Sequence, residues 1–351
     1  MRKILFPLVI ALAGCLSSCS DDGDALPAKK EYFTLWNSCE ALNALQEYVE
    51  DVTDPNSGNY IKEEDRIATF DMDGTFIGEL YPTYFEYNLL EYRVLEDETY
   101  RNSAPDDVRE TAQEIRDFVR NGTPLPAHFD MKHAQAAAKA YAGMTIAEFN
   151  AYVKAYASQP ANGFAGMTYG QSFYKPMLQV FDYLKANGFT YYVVSGSDRL
   201  ICRALVEAVG IEPNRVIGMD VKLKSSSQGE ETGVNYTMGK EEDLVRTDEL
   251  IIKNLKTNKV LQITQEIGKV PVLSFGNSSG DCAMHNYCLS NKHKSAAFML
   301  IADDDVRDHA NREKALTLGM QWFEAGYHVI SMKDDFKTIY GSEVEKTDFT
   351  F

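Results

Sequence analysis

Asp71 and Asp73 stand one residue apart in the stretch ATFDMDGTFIG, Ala68–Gly78, at the end of an apolar run. If the chain stays near-extended there, side chains two apart point to the same side. Two carboxylates aimed into one space repel each other. A cation between or beside them relieves that repulsion, and Mg²⁺, which takes oxygen ligands, suits the need. Gly74 permits a sharp turn of the backbone. Thr75 adds a hydroxyl near a helix start. The plain alternative for such a pair is a solvated turn or a helix cap.

The elements around this pair decide between the two. Arg66–Phe70 reads as a buried strand, and the next strand-like run is Thr190–Val194. The residues between them read mostly as helix. Pro82 opens a run with Phe85, Leu89, Tyr92 and Leu95 on one face. Val108, Ala112, Ile115 and Val119 form a second stripe, stopped by Asn121-Gly122. Thr145-Ile-Ala-Glu148 is a capping box. Before the pair, a helix is expected near Ser38–Val52. Pro176 starts a further helix that Asn187-Gly188 ends. After Val194 strand and helix alternate: a helix ending at Gly210, strands at Arg215–Met219, Val270–Phe275 and Ser295–Ala302, and an edge strand at Tyr327–Met332. Residues 220–246 are polar and read as a hairpin excursion. Such alternation implies right-handed crossovers and a mostly parallel sheet. In such sheets ligands bind at the carboxyl ends of the strands, where Asp71 and Asp73 lie.

Other residues recur at equivalent strand ends. DMDGT resembles the first motif, DxDx[TV], of the haloacid dehalogenase superfamily. YYVVSGSDR resembles its second, a hydrophobic strand ending in Ser or Thr, here Ser195. FGNSSGD resembles the fourth, with Asn277 and Asp281 as a polar pair four apart. Lys259, about 18 residues before Asn277 at a helix start, fits the third. The GNSxGD form looks most like phosphoserine-phosphatase-like members. The resemblance covers about Arg66 to Asp281. It implies an α/β fold: a Rossmann-like, mostly parallel sheet with a helical cap inserted between motifs one and two.

It also implies roles. Asp71 would be the nucleophile on phosphorus, and Asp73 the general acid and then the base. Mg²⁺ would bind the Asp71 carboxylate, the Asp73 backbone carbonyl, Asn277 and Asp281. Thr75, Ser195 and Gly196 would hold the phosphoryl group, and Lys259 would offset its charge. Related phosphatases read the substrate's amine with an acid near Glu79, which could equally be a solvated acid at a helix start. One departure stands out: many members carry GDxxxD, and here Asn277 replaces the first Asp with an uncharged amide. Arg199 faces either the phosphate crevice or the surface. Tyr81, Tyr84, Phe85, Tyr87 and Tyr92 line either a pocket for a choline-like or aromatic leaving group or the core. Asp303-Asp304-Asp305 reads as a loop rather than a Ca²⁺ site. No GxxxxGK[ST] sequence occurs.

The formal charge of −17 argues against a nucleic-acid partner, since binding phosphate backbones takes clustered Lys and Arg. Arg2 and Lys3 followed by apolar Ile4–Gly14 form a signal-like segment, too short to span a bilayer as a mature helix. Cys15 and Cys19 each end a stretch that resembles a lipobox. Cys19 is preferred because Ser20-Asp21-Asp22 follows at once. Cleavage before Cys19 removes two positive charges and moves the formal charge to −19. Cys39, Cys202, Cys282 and Cys288 show no zinc spacing; Cys282 and Cys288 read as buried thiols or as a bridge.

The expected organisation is a lipoprotein signal over residues 1–18, a tether over 19–30, a core of 31–79 and 171–351, and a helical cap of 80–170. The expected protein is a bacterial outer-membrane lipoprotein, periplasmic or surface-exposed. It would hydrolyse a small phosphorylated metabolite with Mg²⁺ through an aspartyl-phosphate. The rivals are a phosphotransferase or mutase on the same fold, and a lipoprotein that binds a phosphorylated ligand without turnover. Carbon–halogen hydrolysis is more distant, because those members lack the second acid.

Overall fold

The computed structural model describes residues 31–351. The signal, tether and lipidation expectations lie outside them. Within them, residues 32–351 form one unit.

The short strand β1 (Ile67–Phe70) is buried along its whole length. A strand with no solvated face must sit inside a sheet that is covered on both sides. Two small strands and the rest of the sheet follow in chain order. They are β2 (Phe164–Ala165), β3 (Thr190–Asp198), β4 (Val216–Ser225), β5 (Leu244–Ile252), β6 (Leu273–Gly276), β7 (Ala296–Ile301), β8 (His328–Ser331) and β9 (Glu345–Lys346). The seven-stranded sheet runs β5-β4-β3-β1-β6-β7-β8, and β2 pairs with β9 apart from it. Neighbours in the large sheet are parallel except β4 and β5, which form the expected hairpin. β1 is central, with Phe70 opposite Val193 on one side and Phe275 on the other. The chain builds outward from β3 to β5, then returns to lay β6 on the other side of β1. The crevice beyond β1 is therefore a topological switch point. Below it, Phe70 stacks on Phe275 at 4.3 Å and Phe275 on Phe298 at 4.9 Å. This aromatic row locks the strands that carry the site.

The helices are α1 (Glu40–Thr53), α2 (Phe85–Glu91), α3 (Asp106–Asn121), α4 (Phe129–Ala140), α5 (Ile146–Ala157), α6 (Lys175–Ala186), α7 (Arg199–Val206), α8 (Thr257–Glu266), α9 (Cys282–Leu289), α10 (Arg312–Glu324) and the short α11 (Met332–Asp335). The capping box is present: Thr145 accepts from Glu148 N, and Glu148 accepts from Thr145 N. α3 stops at Gly122, whose φ of 68° lies in the left-handed region. Two details differ from expectation. α2 begins at Phe85 rather than at Pro82, because Tyr84 still has extended backbone. α4 was not foreseen. Its buried residues include Ala134, Ala137 and Ala138, which make a flat packing face without the large apolar side chains that reveal a stripe.

The insert α2–α5 packs back on the sheet, α4 against β5 and α5 against α7. One buried cation helps hold it there. Arg246 on β5 is 1% exposed and donates to Asp198 at 2.7 Å, while its guanidinium lies 4.0 Å from the centre of the Phe149 ring on α5. Removing one partner of a buried ion pair strands the other charge. Arg246→Met should therefore lower the unfolding free energy by about 3–5 kcal/mol in urea denaturation. A loss below about 1 kcal/mol, the scale of a surface pair, would contradict this account.

Candidate active site

The last ladder bond of β1 is Asp71 N to Phe275 O at 2.9 Å, and the strand ends there. The backbone then folds over itself, with Met72 O accepting from Thr75, Phe76 and Ile77 N. Gly74 makes this turn with φ of 76°. A Cβ at Gly74 would lie 2.0 Å from Asn277 Nδ2 and 2.5 Å from Glu79 Cδ. Only glycine fits. Asp71 and Asp73 are each 7% exposed and line one cavity of about 80 Å³.

The expected site residues converge here. Gly196, Lys259, Asn277, Asp281 and Glu79 line the same cavity. Lys259, in the first turn of α8, donates to Asp71 Oδ1 at 2.5 Å and to Asp281 Oδ1 at 2.6 Å. Lys253 instead reaches Glu86 at 2.8 Å. The other oxygen of Asp281 accepts from Asn277 N at 3.1 Å and Ser278 N at 3.0 Å, so it also fixes the loop after β6. Thr75 and Ser195 lie just behind the cavity wall. Thr75 Oγ1 is 3.5 Å from Asp71 Oδ2 and 3.4 Å from Asn277 Oδ1, and Ser195 Oγ is 3.5 Å from Asp73 Oδ2.

The hydroxyl that does face the cavity beside Asp73 is Ser197, which donates to Asp73 Oδ2 at 2.7 Å. A serine just before a helix reads by sequence as its cap, but the cap of α7 is Asp198, which accepts from Leu200 N. The signal was present: Ser195 and Ser197 are two apart at a strand end, the same pattern that singled out the twin acids. Also unforeseen are Glu86 and Lys253, buried at the rim, with Glu86 accepting from Asp198 N at 3.2 Å. Arg199 turns away from the crevice to Asp220 and Glu266. Asp303 accepts from Ser331 Oγ and Lys333 N, and Asp304 pairs with Arg307; both are consumed in holding their loop. The four described cysteines are free.

Electrostatics follow from burial. Asp71 is pushed up to about 7 by burial and by the charge of Asp281, against the pull of Lys259. Asp73 rises to about 6 because burial outweighs the Ser197 hydrogen bond. Glu79 rises to about 8, through burial and then the charges of Asp73 and Asp71. Burial would lower Lys259, but Asp281 and Asp71 hold it above its usual value. Burial would raise Asp281, but Lys259 holds it below.

The donor set is one of hard oxygens. Asp71 Oδ2 and Asn277 Oδ1 both face Thr75 Oγ1, while both oxygens of Asp281 are already engaged. Among the described residues no three acidic, His or Cys side chains form a metal cluster. A cation content with one carboxylate, an amide and a main-chain carbonyl fits, and Mg²⁺ is such a cation: water and phosphate complete its shell.

A model of haloacid dehalogenase-like hydrolases matches residues 68–284. Among solved structures, a conserved, functionally unknown protein from Anaerococcus prevotii DSM 20548 is 14% identical over 86% of this chain and 94% of that one, with a TM-score of 0.53. Cytosolic 5'-nucleotidase IIIB bound to cytidine is 13% identical over 86% of each chain, at 0.47. A phosphoserine phosphohydrolase-like protein from Francisella tularensis subsp. tularensis SCHU S4 is 14% identical over 76% of this chain and 94% of that one, at 0.39. At these identities likeness speaks to fold alone, and of these three scores only the first supports it. No curated protein matches.

Two outcomes are expected. The Ser197 bond favours the charged form of Asp73. Ser197→Ala should raise the pH at which Asp73 titrates, read by carboxyl-carbon NMR; no movement would contradict the bond. Asp73 and Glu79 both titrate higher in the folded protein than the unfolded-chain values near about 4. Between about 4 and 8 these groups hold more protons folded than unfolded, so their contribution to stability falls as pH rises. In metal-free protein, Glu79→Gln should make the melting temperature at about pH 8, relative to that at about pH 5, higher than it is in the wild type, because the Glu79 share of this fall is removed. A variant with the unaltered slope would contradict it.

Proposed function

The chain belongs to the haloacid dehalogenase-like hydrolases, and from that premise we propose that it is a Mg²⁺-dependent phosphatase of small phosphomonoesters. The observation that carries the reading is the state of Asp73. One of its oxygens is anchored by Ser197, and the other, Oδ1, is buried without a partner beside Asp71. An acid held in this way is poised to trade a proton with something that enters the cavity.

An Asp71 oxygen attacks phosphorus, and the bond to the ester oxygen breaks. Asp73 gives its proton to the departing alkoxide, which leaves as the alcohol. Water then enters and attacks phosphorus, passing its proton to Asp73. The bond from phosphorus to Asp71 breaks, and inorganic phosphate and the Asp71 carboxylate are restored. Asp73 must be protonated for the first step and ionised for the second. A group pushed up to about 6 serves both near neutrality.

Lys259 holds Asp71 in place and sets a positive charge where the phosphoryl oxygens gather charge. Gly196 and Ser197 line the same cavity. Mg²⁺, held by Asp71, Asn277 and the main chain at Asp73, would screen the nucleophile and the phosphate from each other. The cavity's small volume suits a phosphoryl group with a short leaving group. We place the enzyme at the bacterial cell envelope, anchored through Cys19; this part of the proposal stands on the N-terminal sequence alone.

Purified protein should release phosphate from a panel of small phosphomonoesters with Mg²⁺ and lose that activity in chelator. Asp73→Asn should lower turnover by about 10²–10⁴-fold, the usual worth of a general acid–base group. Equal turnover in variant and wild type would overturn the assignment.

A further inference from the structure

The carboxylate of Glu79 makes contacts that the phosphatase mechanism does not use. Oε1 accepts from Asn277 Nδ2 at 3.2 Å. Oε2 is buried and has no hydrogen-bond partner. Glu79 and Asn277 meet directly above Gly74, where a Cβ would strike both. The loop is thus built to let these two side chains touch.

Asn277 needs such a partner. Of Asp71 and Asp281, only Asp71 keeps an oxygen for a cation, because Asp281 is spent on Lys259 and on the amides of Asn277 and Ser278. An amide oxygen at 277 adds a ligand but no charge. An amide can also turn end for end, which would present its NH₂ group to the cation. The bond from Nδ2 to Glu79 prevents that turn. It leaves Oδ1 facing Thr75 and the Asp71 side of the cavity. Partners of this kind, which orient a ligand from behind, tune metal affinity strongly.

We propose that Glu79 positions the divalent-cation site: it holds the Asn277 amide oxygen inward and, as a bound cation draws off its proton, supplies from behind Asn277 the negative charge that Asn277 lacks. The inference rests on the metal-dependent reading above. It makes Glu79 a positioning residue for the cation. The alternative drawn from resemblance, an acid that reads the leaving group's amine, leaves the Asn277 bond without a purpose.

Calorimetric titration of the full-length protein with Mg²⁺, without substrate, separates these roles. Glu79→Gln keeps the shape and removes the charge. It should weaken Mg²⁺ binding by about 10–100-fold, and adding Asn277→Asp to it should restore affinity to within about threefold of wild type. Circular dichroism of each variant controls for folding. Mg²⁺ affinity within about twofold of wild type in Glu79→Gln, with KM for the phosphomonoester raised, would overturn the inference, return Glu79 to the substrate and leave the phosphatase reading intact. Wild-type protein that hydrolyses phosphomonoesters without binding Mg²⁺ would overturn the inference and the metal-dependent reading together.

Discussion

A single ammonium group organises the centre of this molecule. Lys259 stands between Asp71 at the end of β1 and Asp281 beyond β6, 2.5 Å from one and 2.6 Å from the other. Without it, two buried carboxylates would face each other at the ends of adjacent parallel strands, an arrangement that costs several kcal/mol per uncompensated charge on the scale of buried ion pairs. The consequences spread outward. Asp281 can cap the loop that carries Asn277 because Lys259 keeps it ionised. Asp71 keeps one oxygen pinned and the other free to meet a ligand.

The same economy recurs at the rim. Glu86 from the insert is neutralised by Lys253 from the hairpin's far end, and it also accepts from the backbone at Asp198. Asp198 in turn receives Arg246 from β5. Each acid near the cavity thus has a partner from a different element, so the charges that shape the site also fasten the helical insert to the sheet. Two exceptions face the interior: Asp73 Oδ1 and Glu79 Oε2 are buried without partners. Both belong to side chains that line the cavity, where an incoming group can meet them.

Much of this was legible in the sequence, for stated reasons. The central strands are short runs of apolar residues, and the alternation of strand and helix fixed a parallel sheet with its site at the strand ends. Asp71 and Asp73 announced themselves because a strand places side chains two apart on one side. Ser197 obeys the same geometry relative to Ser195, but a serine before a helix also reads as a cap. Lys259 stood among several lysines, and only the fold shows that Lys253 turns to Glu86 instead. Glu86 and Arg246 were invisible, since a charged residue in a helix or an edge strand is ordinarily on the surface. The alanine-rich α4 escaped because small side chains pack closely without leaving a large apolar stripe.

The central claim is that Asp71 carries the phosphoryl group between the two halves of the reaction. Acid-quenched enzyme, digested after brief exposure to a turned-over phosphomonoester and analysed by mass spectrometry, tests it directly. The account predicts a phosphoryl adduct on the peptide holding Asp71, more abundant in Asp73→Asn, where its hydrolysis is slowed, and missing in Asp71→Asn. Phosphate release with no adduct at any time, or an adduct on another residue, would contradict it.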